Sequence, residues 1–314
     1  MNFLSLFTPI NISEEREKFL VSEKYNPQFK YNRNKQELSE YLNKHGSKKV
    51  FVEALISEKP EIITSVAQTY FQTKIDEETL KASDLILQKG FENLSSSENA
   101  SEEIKNELEK ALEYFEIDYK VTISDRPGFN VRPSHLNKVV TVSKYVQIGL
   151  FSIETTVKHE IVHIIRYINK EFNNIKKSPG YLGTEEGLAS YIGDYKSKDG
   201  SNSLFHHAAE YKASEIGLNG SLRDIYNYFI SLGYPPEFSW QRSIRHKFGF
   251  TDTSKAGDIM KPALYFYFEN KIKNLNNEEI IRLFNGKLSL DALSGTSEYS
   301  GIIPKAKLIE YFNL

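Results

Sequence analysis

The sequence contains no cysteine. This excludes disulfides, thiolate metal ligands and a cysteine nucleophile, and it suits a reducing compartment. No stretch approaches 18 consecutive apolar residues, so no membrane span is expected. The first ten residues carry an apolar patch but neither a basic leader nor a long apolar run, which predicts no signal peptide. Charge of one sign is not in excess: the net charge is −2 with both signs interspersed. There is no basic stripe for nucleic acid and no acidic tail for a basic partner. No internal repeat is found. Together these absences predict a cytoplasmic protein with neither nucleic-acid nor membrane partners. They carry no signal for oligomeric state.

What is present is enough for a large aromatic core. Aliphatic and aromatic residues make up 39% of the 314 residues, with 20 Phe and 19 Tyr. The pattern reads as one domain, mainly α with a small β-sheet (α+β), in three parts. Residues 1–115 are a helical N-terminal part, 116–200 hold the sheet and two further helices, and 201–314 are helical again. Asn11 to Glu15 reads as a helix start, and Pro60 divides two helices between Lys49 and Phe71. Asp76 to Gly90 and Glu102 to Phe115 are amphipathic helices, separated by a polar surface loop at Glu92 to Ser101. Tyr119 to Ser124 and Lys138 to Ser143 alternate as strands, with a turn signal at Asp125-Arg126-Pro127-Gly128. Lys176 to Thr184 reads as a loop and Glu185 to Tyr195 as a helix.

The most informative stretch lies in the helical pattern from Ile153 to Asn169: His159-Glu160-Ile161-Val162-His163, an H-E-x-x-H motif. Residues four apart share a helix face, so both imidazoles can reach one metal ion. Glu160 lies about 100° around the axis. That suits a general base beside the metal better than a ligand. A catalytic zinc site takes three protein ligands and keeps one position open. An H-E-x-x-H-x-x-G-x-x-H extension would need glycine at position 166 and histidine at position 169. This chain has Arg166 and Asn169, which excludes that class. The remaining candidate is the segment Thr184-Glu185-Glu186-Gly187-Leu188-Ala189. A small sheet just before such a helix offers an edge strand to an extended peptide.

Glu186-Gly187-Leu188-Ala189 resembles the third-ligand segment of the zinc aminopeptidases, and by that match Glu186 is the ligand and Glu185 its neighbour. The wider set resembles the tyrosine carboxypeptidase family: the H-E-x-x-H helix with Arg166 and Asn169, then Thr184 to Ala189. Tyr25-Asn26-Pro27-Gln28-Phe29-Lys30-Tyr31 is similar to a segment near the start of that domain. Arg242-Ser243-Ile244-Arg245 and Met260-Lys261-Pro262-Ala263-Leu264-Tyr265 are similar to later ones. The resemblance runs from about residue 20 to about residue 275. The chain departs from the family in its shorter histidine spacing, in Pro262 where aspartate is usual, and in His246 where glycine is usual.

The resemblance implies a zincin-like metallopeptidase that uses Zn2+ to remove a C-terminal tyrosine or phenylalanine from a peptide or protein. His159, His163 and Glu186 would hold the zinc, with Glu160 as general base. Arg242, Arg245 and Lys261 are candidates for the substrate carboxylate, which a bidentate arginine holds best. Tyr265 is the candidate oxyanion donor. Arg166 is expected to pair with Glu185 or another acid, while His206 and His207 lack zinc spacing. His45 and His135 read as surface residues. The alternatives are a generic zinc aminopeptidase or endopeptidase, and a non-catalytic metal-binding protein that recognises peptides.

Overall fold

The computed structural model describes residues 8–32, 35–44, 49–90, 99–126, 129–146, 151–296 and 298–314. Most of the apolar patch at the N-terminus, His45, residues 92–98 of the polar loop, and Pro127-Gly128 of the turn signal lie outside them. In chain order the helices begin α1 (Ile12–Val21), α2 (Lys35–Lys44), α3 (Lys49–Ile56), α4 (Pro60–Phe71), α5 (Glu77–Leu87) and α6 (Ala100–Tyr114). The strands β1 (Lys120–Ser124), β2 (Val131–Ser134) and β3 (Val139–Ser143) follow. Then come α7 (Ile153–Phe172), α8 (Tyr181–Tyr195), α9 (Ser201–Asn219), α10 (Leu222–Ser231) and α11 (Pro236–His246). The series ends with α12 (Lys261–Ile272), α13 (Asn277–Leu283), a 3-10 turn at Leu290–Gly295, and α14 (Lys305–Phe312). The protein is therefore mainly helical with one small sheet. Among the described residues no helix is long and apolar enough to cross a membrane.

The chain divides into two compact units, each built from two segments. One comprises Met1–Leu80 and Ala209–Leu264, the other Lys81–Ala208 and Tyr265–Leu314. In the first unit Phe19, Phe29, Leu222 and Trp240 form an apolar cluster. The Tyr25 to Tyr31 segment is part of this scaffold. Asn26 Oδ1 accepts the Arg223 backbone N–H at 2.9 Å. Pro27 O accepts the Thr253 hydroxyl at 2.8 Å, and Tyr31 Oη donates to Phe250 O at 3.1 Å.

The second unit contains the H-E-x-x-H helix. α7 is capped by Ser152, whose hydroxyl accepts from Thr155 N at 3.0 Å. It buries Val157, Ile161, Val162, Ile164 and Ile165 against the apolar face of α6 and against Leu188, Ala189 and Ile192 of α8. The sheet order is β1-β3-β2, with β3 parallel to β1 and antiparallel to β2. Val140 and Val142 of the central strand are fully buried. The edge strand β2 packs beside α7.

Two elements differ from the sequence expectation. The short strand β2 lies where only a turn and loop were expected. Pro133 breaks the alternating pattern there, and an edge strand tolerates a residue without an N–H. The helix α8 begins at Tyr181, inside the expected loop. Gly180, with φ +70°, takes the N-cap position and turns the chain into the helix. Gly183 reads as a loop signal, but within α8 it and Gly187 let Phe268 approach. A Cβ on Gly187 would lie 2.8 Å from the Phe268 carbonyl carbon.

Candidate metal centre

His159 and His163 stand one turn apart on α7, with ring centroids 4.8 Å apart and their Nε2 atoms 3.1 Å apart. Glu186, in the second turn of α8, faces both. Its Oε2 is 3.6 Å from His159 Nε2 and 3.5 Å from His163 Nε2. Ligand atoms bound tetrahedrally at about 2.0–2.2 Å lie roughly 3.3 Å from one another. The three separations bracket that value, so these residues fit a small divalent cation. The side chains are 21%, 13% and 21% exposed. A cation held here would therefore keep a face open to solvent, unlike a closed structural site.

Glu185 has a different task. His163 Nδ1–H donates to Glu185 Oε1 at 2.9 Å, which leaves the Nε2 lone pair for a metal. The Glu185 carboxylate is also ion-paired with the fully buried Arg166 at 2.9 Å and accepts from Lys287 Nζ. Burial opposes its charge, but Arg166, His163 and Lys287 outweigh it and hold the carboxyl down at about 2. Arg166 is fixed in turn: Nε donates to Leu283 O at 3.0 Å and Gly286 O at 2.9 Å, and Nη2 to Leu288 O at 2.7 Å. Asn169 Nδ2 donates to Phe284 O at 2.8 Å. Positions 166 and 169 thus clamp the 283–288 segment under the centre.

The charges of the centre are mutually supporting. Burial works against the His163 imidazolium, but Glu186 and Glu185 push it up to about 10. Burial likewise opposes the Glu186 charge, and His163 with His159 carries its carboxyl well below the usual range. A metal ion replaces the proton in such a cluster. Burial raises the Glu160 carboxyl. That moves it toward the neutral range where a general base is most effective.

The other expected residues fall as follows. Arg242 and Arg245 on α11 and Lys261 at the start of α12 belong to the first unit. Arg242 is ion-paired with Glu210, and Lys261 is exposed. Tyr265 belongs to the second unit and stacks on His207 at 5.5 Å and 9°. His246 is fully buried, with Nδ1 2.7 Å from Asp258 and Nε2 3.1 Å from Glu210. His135 is not a surface residue. It is half-buried and stacks on Tyr167 at 4.0 Å, and burial brings its imidazolium down to about 4.

Sequence reasoning missed Lys287 and the grouping of His207 with Asp194 and Glu269. Their partners are too far apart in the chain for any spacing rule. The sequence around Lys287, Leu283 to Leu293, mixes leucines with Asn285, Gly286, Ser289 and Asp291 and gives no signal for it. No family model matches the chain, and no curated protein matches it significantly.

Proposed function

We propose that the protein is a zincin-like zinc metallopeptidase acting as a carboxypeptidase, which removes a C-terminal tyrosine or phenylalanine from a peptide or protein. The observation that carries the peptidase reading is the triangle of His159 Nε2, His163 Nε2 and Glu186 Oε2, with sides of 3.1, 3.5 and 3.6 Å. Glu160, on the same helix, is the base. Zinc held there supplies a Lewis acid that makes water nucleophilic near neutral pH.

Glu160 takes the proton of the attacking water and passes it to the leaving amine. Glu185 keeps His163 in the tautomer that presents Nε2. The edge strand β2, packed beside α7, is suited to hold an extended peptide by main-chain hydrogen bonds. The preference for a chain end and an aromatic residue rests on the resemblance to tyrosine carboxypeptidases. Arg242, Arg245 and Lys261 are the proposed holders of the terminal carboxylate, and Tyr265 the proposed oxyanion donor. A cytoplasmic location goes with this reading, since the cysteine-free sequence suits a reducing compartment.

Incubation of zinc-loaded protein with a mixed peptide library, read by mass spectrometry, tests the proposal. The expected products have lost one C-terminal tyrosine or phenylalanine, and the Glu160→Gln protein yields none. Loss of N-terminal residues or internal cleavage would overturn the carboxypeptidase reading. Zinc binding without any cleavage would point to a peptide-binding protein.

A further inference from the structure

The second unit buries another group of ligand-type side chains away from the α7 histidines. Asp194 is in the last turn of α8, His207 on α9 and Glu269 on α12. One donor atom from each lies within 4.8 Å of the other two. His207 Nδ1 is 2.7 Å from Asp194 Oδ2 and 3.6 Å from Glu269 Oε2. The Asp194 and Glu269 side chains are 0% exposed and that of His207 8%.

Two buried carboxylates facing one imidazole leave an unbalanced negative charge even when the imidazole is protonated. Buried charge persists only when it is paired and hydrogen-bonded. Here the pairing is incomplete: His207 reaches Asp194 Oδ2, but among the described residues both oxygens of Glu269, and Oδ1 of Asp194, have no hydrogen-bond donor. Two hydroxyls add to the count. Ser190 precedes Asp194 by one turn of α8, and Ser203 precedes His207 by one turn of α9. Both are buried, and among the described residues neither Oγ has a hydrogen-bond partner. The imidazole plane is fixed by Tyr265 stacked on its face and by Phe151 at 5.7 Å.

We infer that Asp194, His207 and Glu269 form a second divalent-cation site. One imidazole nitrogen with two carboxylates suits Zn2+ or Mn2+. A dication balances both carboxylates with the imidazole neutral, and it engages the carboxylate oxygens that lack donors. A proton shared by the two carboxylates is the competing account, and burial with the Asp194 charge does raise the Glu269 carboxyl well above its usual range. Glu186 and Asp194 are eight residues apart on α8, about 12 Å along the axis. The two sites are therefore separate centres and not a bridged pair, whose ions stand about 3.5–4 Å apart. An ion at the second site joins α8 to α9 and α12 and so fixes the helix that presents Glu186.

Metal analysis of the purified full chain decides the matter. The protein is stripped with a chelator, reloaded with ZnCl2 or MnCl2 and passed through a desalting column. Native mass spectrometry then counts the ions. Two ions per chain are expected for the wild type with at least one of the two metals, one for Glu269→Gln and one for Glu186→Gln. A single ion in the wild type with both metals, retained in Glu269→Gln, overturns the inference. So do two ions in a natively folded Glu269→Gln protein, or none in Glu186→Gln. Two ions in Glu186→Gln would leave the second site standing and instead remove Glu186 from the first.

Discussion

Glu185 and Glu186 are neighbours in sequence and opposite in task. Adjacent helical positions differ by about 100°, so the two carboxylates cannot face the same point. Which of them faces the histidines is decided by Arg166 and Lys287, which hold Glu185 on the Nδ1 side of His163. The His159–His163 pairing was legible in the sequence because it depends on local spacing alone. The pairing of Glu185 with Arg166 was among the expectations, but its tie to Lys287 was not legible, because that partner is 102 residues away. Glu185→Gln is expected to weaken zinc binding about 10–100-fold, as loss of a partner behind a metal ligand does. Competition with a chromophoric chelator measures it, and unchanged affinity would reduce Glu185 to a packing role. On the proposed mechanism Glu160→Gln should bind zinc as the wild type does and lose about 10²–10⁴-fold in turnover. Full activity in that variant would remove the proposed base.

His246 gives a prediction of a different kind. Burial opposes its imidazolium, but Asp258 and Glu210 raise it above the ordinary value. The stabilisation is therefore complete below the unfolded value of about 6.5 and is lost as pH rises through the folded value. The urea midpoint should fall between about pH 6 and that higher value, and His246→Asn should flatten this dependence. A dependence of the same size in the variant would assign it to other groups.

Among the elements, α8 shows best why periodicity stops short. Pro179, Gly180 and Gly183 lower the helical signal, so the sequence suggested a loop as far as Thr184. Gly183 and Gly187 both lie within the helix. The glycines are there for packing against Phe268. Alanine at 187 would gain about 1 kcal/mol of helix propensity. The added Cβ would, however, meet backbone atoms of Phe268 and Glu269 at 2.8 and 3.0 Å, which cannot move aside as a side-chain tip can. Overpacking of about 1–3 kcal/mol then prevails. Gly187→Ala should lower the urea midpoint and the zinc content together. An unchanged midpoint would show that α12 yields freely. The strand β2 was missed for a similar reason. It has four residues and a proline, and its pairing with β3 is tertiary information.

At the scale of the whole molecule, the α+β class and nearly every helix followed from apolar spacing and from proline and glycine stops. The partition into two units did not, since each is closed by a segment that returns only after the chain has passed through the other unit. The proposed metal centre has a global consequence as well. Zinc at a hundred times its Kd should stabilise the native state by about 2.7 kcal/mol, seen as a higher thermal midpoint that a chelator reverses. A midpoint indifferent to zinc would mean that the native state does not bind it.

The tie between Lys287 and Glu185 also sets an order of events during synthesis. A ribosome adds about 5–20 residues per second. Lys287 lies 102 residues beyond Glu185, so it is made roughly 5–20 s later. Until then His163 lacks the fully held carboxylate that fixes its tautomer. The nascent chain thus carries an unfinished candidate metal centre while its own later segments are still emerging.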